Sequence, residues 1–198
     1  MNHQSLSAFI WSVADLLRGD YKQSEYGRVI LPFTVLRRLD CVLEPTKAAV
    51  LAELDAKTKA GLNPEPFLER KSGQRGLYNT SPLDLRKLMG DQDHIRENLY
   101  SYIQAFPPHA RDVFERFEFH AQIDRLAKAR LLYQVTEKFA GIDLHPEAVD
   151  NHQMGLAFEE HESSASEDEI AAERAVAKTT NVVSFTRKRP ARQPFPDH

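Results

Sequence analysis

Five basic residues near the N-terminus are the side chains in this sequence best suited to chemistry, and the chemistry they suit is the binding of phosphate groups. They lie on two predicted helices and the loop between them: Arg18, Lys22, Arg28, Arg37 and Arg38. Each phosphate that such a side chain neutralises releases counterions, and so adds salt-sensitive affinity for nucleic acid. We therefore take these five residues as candidates for contact with DNA.

An ordinary solvated helix face is the alternative interpretation of the same cations. Four acids that could pair with them stand close by in the sequence: Asp15, Asp20, Glu25 and Asp40. Two tyrosines of the intervening loop, Tyr21 and Tyr26, are further contact candidates, because aromatic rings can stack on bases. Spacing alone leaves both interpretations open.

The other reactive side chains form no catalytic or metal-binding pattern. His145, His152 and His161 are widely spaced, and none has a second histidine or cysteine at the short spacing of metal ligands. Cys41 is the single cysteine, lies in an apolar stripe and is predicted to be a buried small hydrophobe. The sequence predicts no catalytic residue, no cofactor-binding residue and no metal site.

The basic residues lie in a chain whose apolar residues recur at helical spacing. The pattern predicts helices over residues 6–17, 26–43 and 47–59, the second of which contains Pro32. Residues 61–80 hold two prolines and several glycines, and are predicted to be a long irregular connection.

Further helices are predicted over residues 93–105, 108–117 and 121–139, with a last one fading at Glu160. Six aromatic residues of this half are predicted to form core: Phe106, Phe114, Phe117, Phe119, Tyr133 and Phe139. No alternating strand pattern precedes residue 180. The predicted fold class is all-α, a helical bundle.

Composition changes after Phe158. An acidic stretch is followed by the cluster Arg187, Lys188, Arg189 and Arg192, with few large apolar residues between them. Such a segment buries too little surface to offset its ordering entropy, so we expect a disordered tail over residues 161–198 after a helical domain over 1–160. The basic cluster could bind nucleic acid or be solvated.

Net charge and hydropathy limit the function classes. The formal net charge is -3, so any affinity for nucleic acid has to come from local basic patches. No run approaches the roughly 20 apolar residues that span a bilayer, so we expect no membrane association. The single cysteine suits a reducing cytoplasm.

The segment from Ile10 to Lys47 resembles the N-terminal helical domain of Type I restriction-modification modification subunits. That family opens with a helix, a Leu-Arg-Gly turn and a tyrosine-bearing loop, which stand here at Leu17, Arg18, Gly19 and the residues after them. The family's ILPFTVLRRL run is present from Ile30 to Leu39. Residues 150–160, DNHQMGLAFEE, resemble its closing helix.

The resemblance implies a subunit of an S-adenosylmethionine-dependent enzyme that methylates adenine at its exocyclic amine. The implied partners are DNA, a specificity subunit and a second modification subunit. The family's catalytic domain carries a glycine-rich cofactor loop and an Asn-Pro-Pro-aromatic motif that receives the flipped base. Neither motif occurs in these residues, so we expect this chain to bind no S-adenosylmethionine and to transfer no methyl group.

Residues 162–198 resemble an internal segment of an insertion-sequence transposase family. The match begins in the acidic stretch and runs through the basic cluster to His198. Together the two resemblances favour a modification subunit truncated by a mobile element. A free-standing helical DNA-binding or regulatory protein, and a product without function, remain as alternatives.

Overall fold

The computed structural model describes residues 3–162. The tail predicted over residues 161–198 lies outside them from residue 163 onward. The described residues form helices joined by turns, and no β-strand. In chain order the helices are α1 (His3–Leu17), α2 (Gly27–Leu43), α3 (Lys47–Lys59), α4 (Glu65–Ser72), α5 (Leu85–Leu88), α6 (Ile95–Gln104), α7 (Pro108–Arg116), α8 (Phe119–Lys128), α9 (Leu132–Gly141) and α10 (Asn151–Glu162). The prediction of an all-α fold is confirmed.

Helix α2 is the centre of the bundle. Every residue from Val29 to Leu43 is buried, because the other helices cover α2 on all sides. The Phe33 ring is in edge contact with Phe119, at 4.9 Å between centroids, and is stacked on Phe139 at 5.2 Å. The helix is continuous through Pro32. The side chains in the C-terminal half of α2 therefore lie in the interior of the bundle.

Two predicted boundaries were wrong. Residues 61–80 are not irregular throughout, because they contain α4, which is followed by Gly73 as its C-cap with a left-handed φ of 68°. The single helix predicted over residues 121–139 is two helices, separated at Arg130, whose φ is 59°. The Leu131 amide donates to the Leu126 carbonyl at 2.9 Å, which closes α8 as a left-handed C-terminal motif does. The break was not predicted because residue 130 is an arginine, and no glycine or proline marks the end of a helix there.

A smaller cluster joins α3 and α4. Val50, Leu68 and Tyr78 are buried against each other, with Leu54 beside them. None of the helices formed by the described residues is both long and apolar enough to cross a membrane.

Candidate nucleic-acid interface

The turn between α1 and α2 carries three of the predicted DNA contacts. Arg18 follows the last residue of α1, Lys22 lies in the loop, and Arg28 is in the first turn of α2. All three side chains are exposed. The chain reverses at Gly19, whose φ of 101° is one that other residues rarely adopt. We call Arg18, Lys22 and Arg28 the basic face.

Arg125 of α8 holds this turn in place. Its guanidinium lies 3.8 Å from the centroid of the Tyr21 ring. The same group donates to Glu25 Oε1 at 2.9 Å and to the Asp20 carbonyl at 2.7 Å. One side chain therefore ties three points of the loop to the body of the bundle.

The contacts of Arg125 with Tyr21, Glu25 and the Asp20 carbonyl, which we call the clamp, keep Glu25 ionised, while burial keeps Tyr21 protonated. The hydrogen bond from Arg125 lowers the pKa of Glu25 to about 2, so the carboxylate stays ionised. Burial raises the pKa of Tyr21 to about 12, so its hydroxyl stays protonated. The negative charge of Glu25 is thereby compensated from α8.

The cations of the basic face differ in their ion pairing. Arg18 pairs with Asp15 at 2.7 Å in an exposed contact, and such pairs contribute little to stability. Neither Lys22 nor Arg28 forms an ion pair with another described residue. Two exposed cations thus remain available to an external anion.

Arg37 and Arg38 do not belong to this face, and their prediction as DNA contacts is corrected. They are 1% and 3% exposed, because α2 runs through the centre of the bundle. Arg37 donates to the Ile142 carbonyl at 2.7 Å and to Asp40 Oδ2 at 2.6 Å. Their guanidinium groups bind acceptors inside the bundle and do not reach phosphates of a bound DNA.

Arg38 binds the connection between α9 and α10. Its Nη1 donates to the carbonyls of Leu144 and Val149 at 3.2 and 2.9 Å, and its Nη2 donates to Asn151 Oδ1 at 2.7 Å. Desolvation lowers the pKa of Arg38 to about 10, which still leaves it charged at neutral pH.

The tyrosines proposed as base-stacking residues are also corrected. Tyr21 and Tyr26 are 5% and 8% exposed and belong to the core. The core prediction for the second-half aromatics is confirmed, since the five phenylalanines are buried and Tyr133 is partly buried against the same core.

Sequence reasoning missed Arg125 and Tyr102 as partners of the named acids. Arg125 stands 100 residues from Glu25, and Tyr102 stands 62 residues from Asp40. Local spacing contains no signal for pairs so far apart. Only the packing of α6 and α8 against the first two helices brings them together.

The clamp predicts a pH-dependent stability. The folded-state pKa of Glu25 is depressed from 4.5 to about 2, so the pair stabilises the fold fully above about pH 4.5. That contribution is lost as the pH falls toward 2. Because the pair is partly exposed, we expect Glu25→Gln to destabilise the protein by about 1 kcal/mol at neutral pH. Urea unfolding followed by circular dichroism across this pH range measures the difference.

The matched control is the same substitution in an Arg125→Met background. There Glu25 has lost Arg125 and keeps only the hydrogen bond from the Lys22 amide at 2.9 Å, so Glu25→Gln should have a clearly smaller effect than in the parent, with a weaker dependence on pH. A difference between the single variant and the parent that stayed constant with pH would contradict the clamp.

Residues 6–139 match the family model described as the HsdM N-terminal domain, a span from α1 into α9. The chain belongs to the HsdM N-terminal domain family. Modification subunits of Type I restriction-modification systems carry this domain, so the family resemblance drawn from Ile10 to Lys47 is confirmed.

A second model matches the C-terminal part of this HsdM-type chain. Residues 146–198 match the model described as Transposase C of IS166 homeodomain, which confirms the transposase resemblance. The uncharacterized protein y4hP of Sinorhizobium fredii is 56% identical over 45 residues, which is 23% of this chain and 8% of that relative. No solved structure matches the chain.

Helix α10 lies beyond the HsdM match yet packs on α1 within it. Met154, Ala157 and Phe158 are buried in the same core as Leu6 and Ile10. The packed helical core therefore extends past residue 146, where the transposase match begins. The domain boundary predicted at residue 160 falls inside α10 and stays a prediction.

Proposed function

We propose that this chain acts as the helical, DNA- and subunit-contacting module of a Type I modification subunit. One observation carries the DNA contact: Lys22 and Arg28 are exposed and lack ion pairs among the described residues, while Arg125 compensates the nearby Glu25. With Arg18 they form a basic face that is held by a clamped turn. DNA phosphates are the anions that a Type I system brings to such a face.

The interaction we propose is electrostatic and independent of DNA sequence. Arginine and lysine contacts to phosphate position a protein on the duplex without reading its bases. The net charge of -3 means that the affinity has to come from this local face. Non-specific binding of this kind has dissociation constants of about 10⁻⁴ to 10⁻⁶ M at physiological salt.

The wider assembly is part of the same proposal. The partners are a specificity subunit and a second modification subunit, and the setting is the cytoplasm, where they meet DNA. S-adenosylmethionine is the methyl donor of the full-length family, and adenine N6 is the acceptor. These 198 residues contain no Gly-x-Gly and no Asn-Pro-Pro sequence, so we propose that they supply binding and not methyl transfer.

The test is duplex binding across a salt series with the full chain. The tail is a confounder, so the parent carries alanine at Arg187, Lys188, Arg189 and Arg192. Replacing Arg18, Lys22 and Arg28 together by alanine should reduce the slope of log K against log salt by about 0.9 for each lost phosphate contact. At low salt, the affinity of the triple variant should fall by about tenfold or more.

A matched triple variant controls for the loss of positive charge. Arg70, Lys71 and Arg75 are exposed at the end of α4, outside the basic face. Their replacement by alanine should leave the salt slope close to that of the parent. An absence of binding at low salt would contradict the DNA contact. Unchanged binding after replacement of Arg18, Lys22 and Arg28 would show that other residues make that contact.

The two family matches favour a second interpretation of this chain, because the first ends at residue 139 and the other begins at residue 146. We propose that the reading frame is a hybrid of a modification gene and a mobile element. Sequencing the flanking DNA tests this. Insertion-element inverted repeats downstream, with the rest of the modification gene beyond them, are the expected result. An intact modification gene without such repeats would contradict it.

A further inference from the structure

A cavity of about 440 Å³ lies beside the C-terminal half of α2. Its walls come from α2, the first turns of α3, the start of α5, and Tyr102 of α6. This volume lies within the range of pockets that hold small organic ligands.

The floor of the cavity is a satisfied polar network. Tyr102 donates its hydroxyl proton to Asp40 Oδ1 at 2.5 Å, and Arg37 donates to Asp40 Oδ2 at 2.6 Å. Desolvation raises the pKa of Tyr102 well above its ordinary value, so the hydroxyl remains a donor. Both carboxylate oxygens of Asp40 are thus hydrogen-bonded to other residues that line the cavity.

Lys47 is the cation lining the cavity that has no carboxylate as an ion-pair partner among the described residues. Its ammonium donates to the Leu83 carbonyl and lies 4.9 Å from the centroid of the Tyr102 ring. It forms no ion pair with any described acid, whereas Arg37, Arg86 and Lys87, the other cations lining the cavity, each have one. Partial burial lowers the pKa of Lys47, and the nearby charges of Asp40 and Asp84 offset only part of that shift.

The remaining wall and the mouth supply complementary features. Leu43, Ala48 and Leu51 form an apolar wall. At the mouth, Arg86 pairs with Glu44 at 3.2 Å, and Lys87 pairs with Asp84 at 3.3 Å. The Arg86–Glu44 pair is largely exposed, so it can rearrange around a ligand at little energetic cost, whereas Asp84 is also held by its hydrogen bond from the Lys87 amide.

We propose that this cavity binds a small organic monocarboxylate. Its carboxylate pairs with the Lys47 ammonium, and its apolar part packs against Leu43, Ala48 and Leu51. A single negative charge matches the single cation without an ion pair, and the nearby Asp40 and Asp84 disfavour a dianion. This site does not depend on the basic face or on the proposed DNA contact.

The probe is benzoate, titrated into the full chain and followed by amide chemical shifts. We expect saturable shifts at the residues that line the cavity, with a dissociation constant on the order of 1 mM or lower. Acetate has the charge without the apolar part, and benzyl alcohol has the ring without the charge. Both should bind more weakly than benzoate.

Lys47→Met removes the charge and keeps most of the side chain. Loss of a charge-assisted hydrogen bond should weaken benzoate binding about tenfold or more. Lys59→Met is the matched control, since Lys59 lies on the same helix and pairs with Asp55 outside the cavity. That control should leave the benzoate affinity unchanged.

A second variant keeps the proposal testable if Lys47→Met fails to fold. Ala48 is exposed at the apolar wall, so Ala48→Leu narrows the cavity without removing a contact, and should block benzoate. The proposal is overturned by an absence of saturable shifts, or by undiminished binding in either folded variant. Displacement of benzoate by a short DNA duplex would assign the site to backbone phosphate and would overturn it equally.

Discussion

Asp40→Ala should destabilise the protein by about 3–5 kcal/mol, which is a large part of the stability of an ordinary domain. The carboxylate is 5% exposed and accepts hydrogen bonds from Arg37 and Tyr102. Its removal leaves the Arg37 guanidinium, 1% exposed, as a buried charge without a counterion. Urea unfolding followed by circular dichroism measures the loss.

The control for Asp40→Ala is an ion pair within one helix that has the same donor–acceptor distance but is exposed. Asp55 pairs with Lys59 at 2.6 Å, the distance of the Arg37–Asp40 pair, but both side chains are exposed. Asp55→Ala should therefore cost no more than about 1 kcal/mol. Comparable losses from the two substitutions would contradict the dominant role of burial.

The double variant Arg37→Met with Asp40→Leu distinguishes two contributions to stability. One is the stabilisation by the ion pair itself, and the other is the cost of leaving one buried charge unpaired. Replacing both partners by apolar residues avoids an uncompensated charge, so its loss should be much smaller than the sum of the single losses. An additive loss would mean that the two side chains stabilise the fold independently.

Arg38→Met should release α10 from the bundle, with a loss of about 3 kcal/mol. The guanidinium joins α2 to the carbonyls of Leu144 and Val149 and to Asn151, and each bond to a charged donor contributes about 1.5–3 kcal/mol. Arg38 Nε is buried without a partner in the described part of the chain, which offsets some of this gain. Amide hydrogen exchange in α10 is the measurement.

The expected exchange pattern is local. Amides of residues 151–158 should lose protection, while those of α3 and α4 should not, because that pair has its own cluster of Val50, Leu68 and Tyr78. Arg86→Met serves as control, since Arg86 is exposed and pairs with Glu44. Unchanged protection in α10 of Arg38→Met would refute the anchoring role.

The sequence by itself determined the helical class and the family. The apolar period predicted α3 over residues 47–59 and placed α2 to within one residue of its observed start. These features are local, because helical spacing and helix-ending residues act over a few positions. The run from Ile30 to Leu39 carried the family resemblance for the same reason.

Only the tertiary structure decided which basic residues face solvent. Arg28 and Arg37 stand in the same helix and differ little as sequence signals, yet one is exposed and the other is 1% exposed. The difference arises because the C-terminal half of α2 is surrounded by helices from distant parts of the chain, which supply Tyr102 and the Ile142 carbonyl. Likewise the basic face depends on Arg125, 100 residues from the Glu25 that it compensates. Burial and long-range pairing are properties of the packed bundle, so helical periodicity could not reveal them.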